Sequence, residues 1–212
     1  MPDPSNIHQF VQLNRTFREL SKDGDDDGVD IGVAYFYTDR MTWADLISKF
    51  RVVVLSEAGT GKTEEIRHIA ETLRREGKKA FFLRLEHIPQ DIEDAFEAGS
   101  WEEFQEWLAS DDEGWLLLDS VDEARLRHPG DFELAIRKLG RRISAAYQRA
   151  HVVITGRTTA WRPKTDLDHC TRHLPFDTST KTVVGDHPSG PDRPQRIAGA
   201  NHEHHPVDQD PP

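Results

Sequence analysis

Eight consecutive residues could hold a string of phosphates: Ser56, Glu57, Ala58, Gly59, Thr60, Gly61, Lys62 and Thr63. They match the spacing G-x-x-x-x-G-K-[ST], except that Ser56 stands where the pattern has its first glycine. Gly59 and Gly61 allow the backbone to curl so that successive N–H groups converge on an anion. Lys62 is then placed to reach the β- and γ-phosphates of a nucleoside triphosphate, and the Thr63 hydroxyl to ligate Mg²⁺. Only the turn into the loop depends on position 56, so the serine is a mild departure.

A second group of residues supplies acids. Asp119 ends the apolar run GWLLLDS, and Asp122 and Glu123 follow three and four residues later. An acid at the carboxyl end of a parallel strand faces the crevice where ligands bind. That position suits Asp119 to Mg²⁺, through water. Asp122 or Glu123 would face the γ-phosphate, and Glu123 is the better placed to polarise an attacking water. A third segment, VVITGRTTAW, offers Arg157. It could stabilise charge as the terminal phosphate leaves, or pair with a carboxylate of the acidic strand end, or both.

These residues need a scaffold, and the pattern supplies one. RVVVLS (51–56) is a continuous β-branched run, as expected for a strand buried on both faces. A helix over 62–76 places Ile66, Ile69, Ala70 and Leu73 on one face. KKAFFLRL (78–85), GWLLLDS (114–120) and HVVIT (151–155) read as further strands. Helices are predicted over 90–109 and 131–148, and Thr42 can N-cap a short helix through Phe50. Strands alternating with helices imply a parallel sheet with right-handed crossovers, hence an α/β, three-layer fold.

The flanks are less regular. Residues 1–41 read as an N-terminal extension, with a short helix over 5–20 and a strand over 31–37. Between them Asp23, Asp25, Asp27 and Gly28 copy the start of a calcium loop, but Asp30 stands where an apolar residue belongs and Ala34 where the closing Glu ligand would be; a solvated loop is expected. Residues 164–212 carry seven prolines and scattered apolar residues, and read as a disordered tail. Within it TKTVVG (180–185) is the one β-like stretch. His202, His204 and His205 lack a second cluster to complete a metal shell.

Composition narrows the class. The net charge of -11 argues against nucleic acid as the main ligand. No apolar run approaches the roughly 20 residues that cross a bilayer. The single cysteine, Cys170, and an N-terminus without basic and apolar signal regions fit a cytoplasmic chain. Residues 86–123 are acidic and contain no Lys or Arg, whereas basic residues dominate 125–172. Such a two-signed surface suits either solvated helices or a face that meets nucleic acid, another protein or a second copy.

LSEAGTGKT, LLLDSVDEAR and VVITGRTTAW together resemble the NACHT-type NTPases of the STAND class, and residues 42–163 carry the likeness. The resemblance implies ATP and Mg²⁺ as ligands, hydrolysis as the reaction, and a role as a molecular switch in signalling or defence. Such cores continue into a fifth strand, a winged helix and repeats, which are not recognisable after Pro163. The chain therefore resembles a truncated or split member. Three rivals compete: a nucleotide-binding module without turnover, a small-molecule kinase and a helicase-like ATPase. Asp122–Arg125 resembles a DEAx box, but the strand ends at Asp119 and no second motor domain follows. A GTPase is disfavoured by the lack of an N-K-x-D motif.

Overall fold

The apolar runs become the strands of one sheet. The computed structural model describes residues 15–19, 40–176 and 181–187. Its elements in chain order are β1 (Thr16–Glu19), α1 (Trp43–Ile47), β2 (Arg51–Ser56), α2 (Lys62–Arg75), β3 (Lys79–Arg84), β4 (Phe96–Ala98) and α3 (Trp101–Leu108). There follow β5 (Gly114–Asp119), α4 (Val121–Arg127), α5 (Asp131–Arg142), β6 (Ala150–Arg157), α6 (Pro163–His173) and β7 (Lys181–His187). The strand order is β1-β7-β2-β6-β5-β3-β4. The five central strands are mutually parallel, and β1 and β4 pair antiparallel at the edges.

Alternation along each strand feeds two cores. Val53, Leu55, Phe81, Leu83, Leu116, Leu118, Val152 and Ile154 enter one, where Phe104, Trp107, Val121, Ala124, Phe132 and Ile136 of the helices α3–α5 cover them. Val52, Val54, Ala80, Phe82, Leu117 and Val153 enter the other, beneath Ile66, Ala70 and Leu73 of α2, Leu46 of α1 and Phe17 of β1. Each fully buried side chain of this kind contributes about 1.5–3 kcal/mol. Burial on both faces is why the strands read as unbroken apolar runs. The result is a three-layer α/β arrangement, as the sequence predicts.

Three expectations are corrected. The helix over 5–20 gives way, over the described part, to strand β1. Its Phe17 is fully buried against Trp43, with ring centroids 4.8 Å apart, and its backbone pairs with β7. The helix over 90–109 breaks into a 3-10 turn, strand β4 and helix α3. Gly99 sits in the left-handed region (φ +83°), and Ser100 opens α3 with a capping box to Glu103. The tail that reads as disordered from residue 164 instead continues the fold through residue 187. Pro163 at the first turn starts α6, and β7 pairs with β1 on one side and β2 on the other. The fifth parallel strand is therefore β7, which overlaps the β-like stretch over 180–185. The predicted strand over 31–37, the Asp23–Gly28 loop and His202, His204 and His205 lie outside the described residues.

Candidate functional site

The loop between β2 and α2 turns on its two glycines, Gly59 at φ +73° and Gly61 at φ +83°. A Cβ at either would meet no atom within 4 Å, so backbone conformation rather than space demands glycine here. Gly61 is the N-cap of α2, and no side chain caps that end. The first-turn N–H groups and the positive end of the helix therefore face the loop interior, the arrangement that attracts an anion. Within the loop, Lys62 Nζ donates to Glu57 O (2.9 Å) and Ser56 O (3.4 Å). Ser56 and Thr60 join through their hydroxyls at 3.1 Å. The serine thus ends β2 and ties the entry of the loop to its far side.

Asp119 is fully buried at the end of β5 and holds three hydroxyls. Thr63 Oγ1 donates to its Oδ2 at 2.7 Å, while Thr155 Oγ1 (2.5 Å) and Ser120 Oγ (2.9 Å) donate to Oδ1. Sheet order explains the meeting: β6 lies between β2 and β5, so Thr155 reaches Asp119 from the neighbouring strand. A buried carboxylate beside a helix-start threonine is a hard oxygen pair, which is what Mg²⁺ takes from a protein. The donor chemistry fits that ion.

Glu123 and Asp122 begin α4 and diverge. Glu123 forms a short ion pair with Arg84 of β3, which also reaches Glu86 at 3.2 Å and Asp119 at 3.8 Å. Burial lifts the Glu123 carboxyl above its ordinary range, Arg84 opposes this, and Glu86, Asp119 and Asp122 add to the rise. For Arg84 burial works against the charge, but Glu123, Asp119 and Glu86 outweigh it and raise its pKa. Asp122 instead pairs with Arg157 Nε at 2.7 Å. Of the two roles open to Arg157, the carboxylate pairing is present. Its side chain is 48% exposed and remains accessible from the cleft.

Ala58, Gly59, Thr60, Gly61, Lys62, Thr63, Asp122, Glu123 and Arg157 line one cleft of about 210 Å³. Glu57 stands beside it and accepts from Thr158 Oγ1 at 2.7 Å, linking the loop to the turn after β6. The loop residues 56–63, Asp119, Asp122, Glu123 and Arg157 thus gather at the carboxyl ends of β2, β5 and β6. Three contributors escaped that reading. Thr155 and Arg84 close strands otherwise read for their apolar character, and a polar residue ending such a run was the available signal. Arg15 precedes β1, bonds Glu65 at 2.7 Å and reaches the Thr60 carbonyl, 45 residues away in sequence. No local pattern could reveal it.

Fold and site together define an α/β protein with an open crevice at the carboxyl ends of a parallel sheet. No model of a known protein family matches the chain, and no curated protein is similar enough to count as a relative.

Proposed function

We propose that the chain is an ATP-binding core of the P-loop NTPase type, NACHT-like, which uses Mg²⁺-dependent hydrolysis to set a signalling or defence switch. The observation that carries this reading is the 2.7 Å hydrogen bond between Thr63 and the buried Asp119. It joins the end of the glycine loop to the end of the acidic strand, as a shared Mg²⁺ site requires. The ion, when bound, would neutralise charge on the terminal phosphates. Backbone N–H groups of Gly59–Thr63 would orient the phosphates, and Lys62 would exchange its loop carbonyls for phosphate oxygens. Arg157 would face the leaving phosphate from the cleft rim. Glu123 would orient and deprotonate water once Arg84 releases it. Asp122, engaged by Arg157, is a positioning group, which supports this reading over a helicase-like one that would use Asp122 for the metal. The resemblance to NACHT proteins supports adenine as the base and a protein partner, or a second copy, as the recipient of the signal.

The Arg84–Glu123 ion pair favours a second reading, a nucleotide-binding module that does not turn over. Phosphate release by the purified chain separates the two. Hydrolysis that stops in Glu123→Gln and in Lys62→Ala supports the ATPase. Release no faster than the Glu123→Gln background, with ATP still bound, replaces it with the binding module.

A further inference from the structure

Away from the cleft, α5 and α6 bring together three side chains that the nucleotide reading leaves unused. His169 and His173 lie one turn apart on α6, so both imidazoles project from the same face. Their rings are nearly parallel, 8° apart, with centroids separated by 6.4 Å. Glu133, in the first turn of α5, meets them from across the helix pair, its Oε2 lying 3.5 Å from His169 Nε2. One ligand atom from each of the three lies within 4.8 Å of the others, and all three residues are half-buried.

The backbone under this cluster is held firmly. A Cβ at Gly140 would fall 2.0 Å from the His173 carbonyl, so the two helices are in direct backbone contact there. Tyr147 Oη donates to Gly140 O at 2.8 Å and to His173 O at 3.2 Å, fixing the same crossing. Two cations, Arg172 and Arg137, lie near His173, and Arg172 is turned to Asp168 at 2.7 Å. At the other end of α6, Asp166 is fully buried, accepts from the Arg162 N–H at 2.7 Å and pairs with Arg125 at 2.5 Å. Ligand directions set by packed helices are what a metal site needs and what mobile surface histidines lack.

We propose that Glu133, His169 and His173 form a transition-metal site that clips α5 to α6, with Zn²⁺ the ion that best fits the donors. Two imidazoles and a carboxylate are nitrogen and oxygen ligands of the type Zn²⁺ takes, leaving one tetrahedral position for water. The 3.5 Å separation of Glu133 Oε2 and His169 Nε2 is close to the edge of a tetrahedron with ligand bonds of about 2.1 Å. Ca²⁺ and Mg²⁺, which require oxygen shells, are disfavoured. The clip acts on the fold rather than on the nucleotide, so it stands whether or not ATP is the ligand of the cleft.

The test uses the full chain, freed of metal by chelation, and must separate this site from the other nine of the chain's 11 histidines. Co²⁺ added to the wild type should give a tetrahedral visible spectrum saturating at one equivalent, displaced by Zn²⁺. Single His169→Gln and His173→Gln variants should each weaken that equivalent by about 100-fold, given that loss of even an outer-shell partner costs 10–100-fold. Glu133→Gln should weaken it less. Ring NMR resonances of His169 and His173 in the wild type, which need no variant, should move before those of any other histidine as Zn²⁺ is added. Resonances that stay in place at one equivalent, or a Co²⁺ spectrum unchanged in the His169→Gln/His173→Gln double variant, would overturn the proposal.

Discussion

The two ends of the central strands carry polar residues of the same kinds, and those residues are used in opposite ways. At the amino end, Arg51 of β2 is buried and spends its guanidinium on carbonyls: Phe50 at 2.7 Å, Tyr147 at 2.9 Å, Leu174 at 3.0 Å, Pro175 at 3.2 Å, and Ala150 more closely still. Burial pulls its pKa down to about 10, and its face stacks over Phe176. His151 of β6 lies between Phe50 and Trp115, with ring centroids 4.1 and 4.7 Å away. At the carboxyl end, by contrast, side chains mostly bind side chains, Thr63 with Asp119, Arg84 with Glu123 and Arg157 with Asp122, although Lys62 at the cleft also holds loop carbonyls. Arg51 is buried away from solvent, so its carbonyl bonds brace the amino end as scaffold. Paired side chains beside an open cleft can trade a partner for a phosphate or a cation, so the carboxyl end is a site.

The comparison can be broken most forcefully at Arg51. Arg51→Ala removes hydrogen bonds to several buried carbonyls and should cost about 3–5 kcal/mol of stability. Urea denaturation measures it, and a loss below about 1 kcal/mol would mean that the amino end is not the scaffold described.

A smaller effect is expected at Arg84, and it concerns chemistry more than stability. Arg84 holds the Glu123 pKa down against burial. Arg84→Ala should therefore move the acid limb of the pH–rate profile to higher pH. A limb that stays put would separate Glu123 from proton transfer.

The smallest effect is at His151. Burial, outweighing the opposing carbonyl of Lys49 and carboxylate of Glu113, lowers its pKa below the ordinary value. The unfolded chain then binds the extra proton first. Its contribution to stability is full above the unfolded pKa of about 6.5 and is lost as pH falls through the folded value. Melting temperature should drop between pH 7 and 5, and His151→Phe, which keeps the stacked ring, should flatten the drop.

Sequence alone reached further at the carboxyl end than at the amino end. The glycine loop, Asp119 and Glu123 are contiguous with strongly patterned strands, so type and spacing were enough to place them. Arg51 reads merely as the first residue of an apolar run, because its partners other than Phe50 lie 96 to 124 residues away. The same distance effect hid β1 and β7. Residues 181–187 are too short and too rich in neighbouring proline and glycine to declare a strand, and become one by pairing on both edges. Arg84 was visible as a charge but not as the partner of Glu123, since register between β3 and β5 sets it beside Asp119.

Equilibrium titration of the purified chain with Mg·ATP decides whether the carboxyl end binds a nucleoside triphosphate, as proposed. Saturable binding by the wild type is expected. Lys62→Ala should lose roughly 2–4 kcal/mol, about 30- to 1,000-fold in affinity, with unfolding stability little changed. Absence of saturable binding in the wild type, or equal affinity in Lys62→Ala, would contradict the proposal.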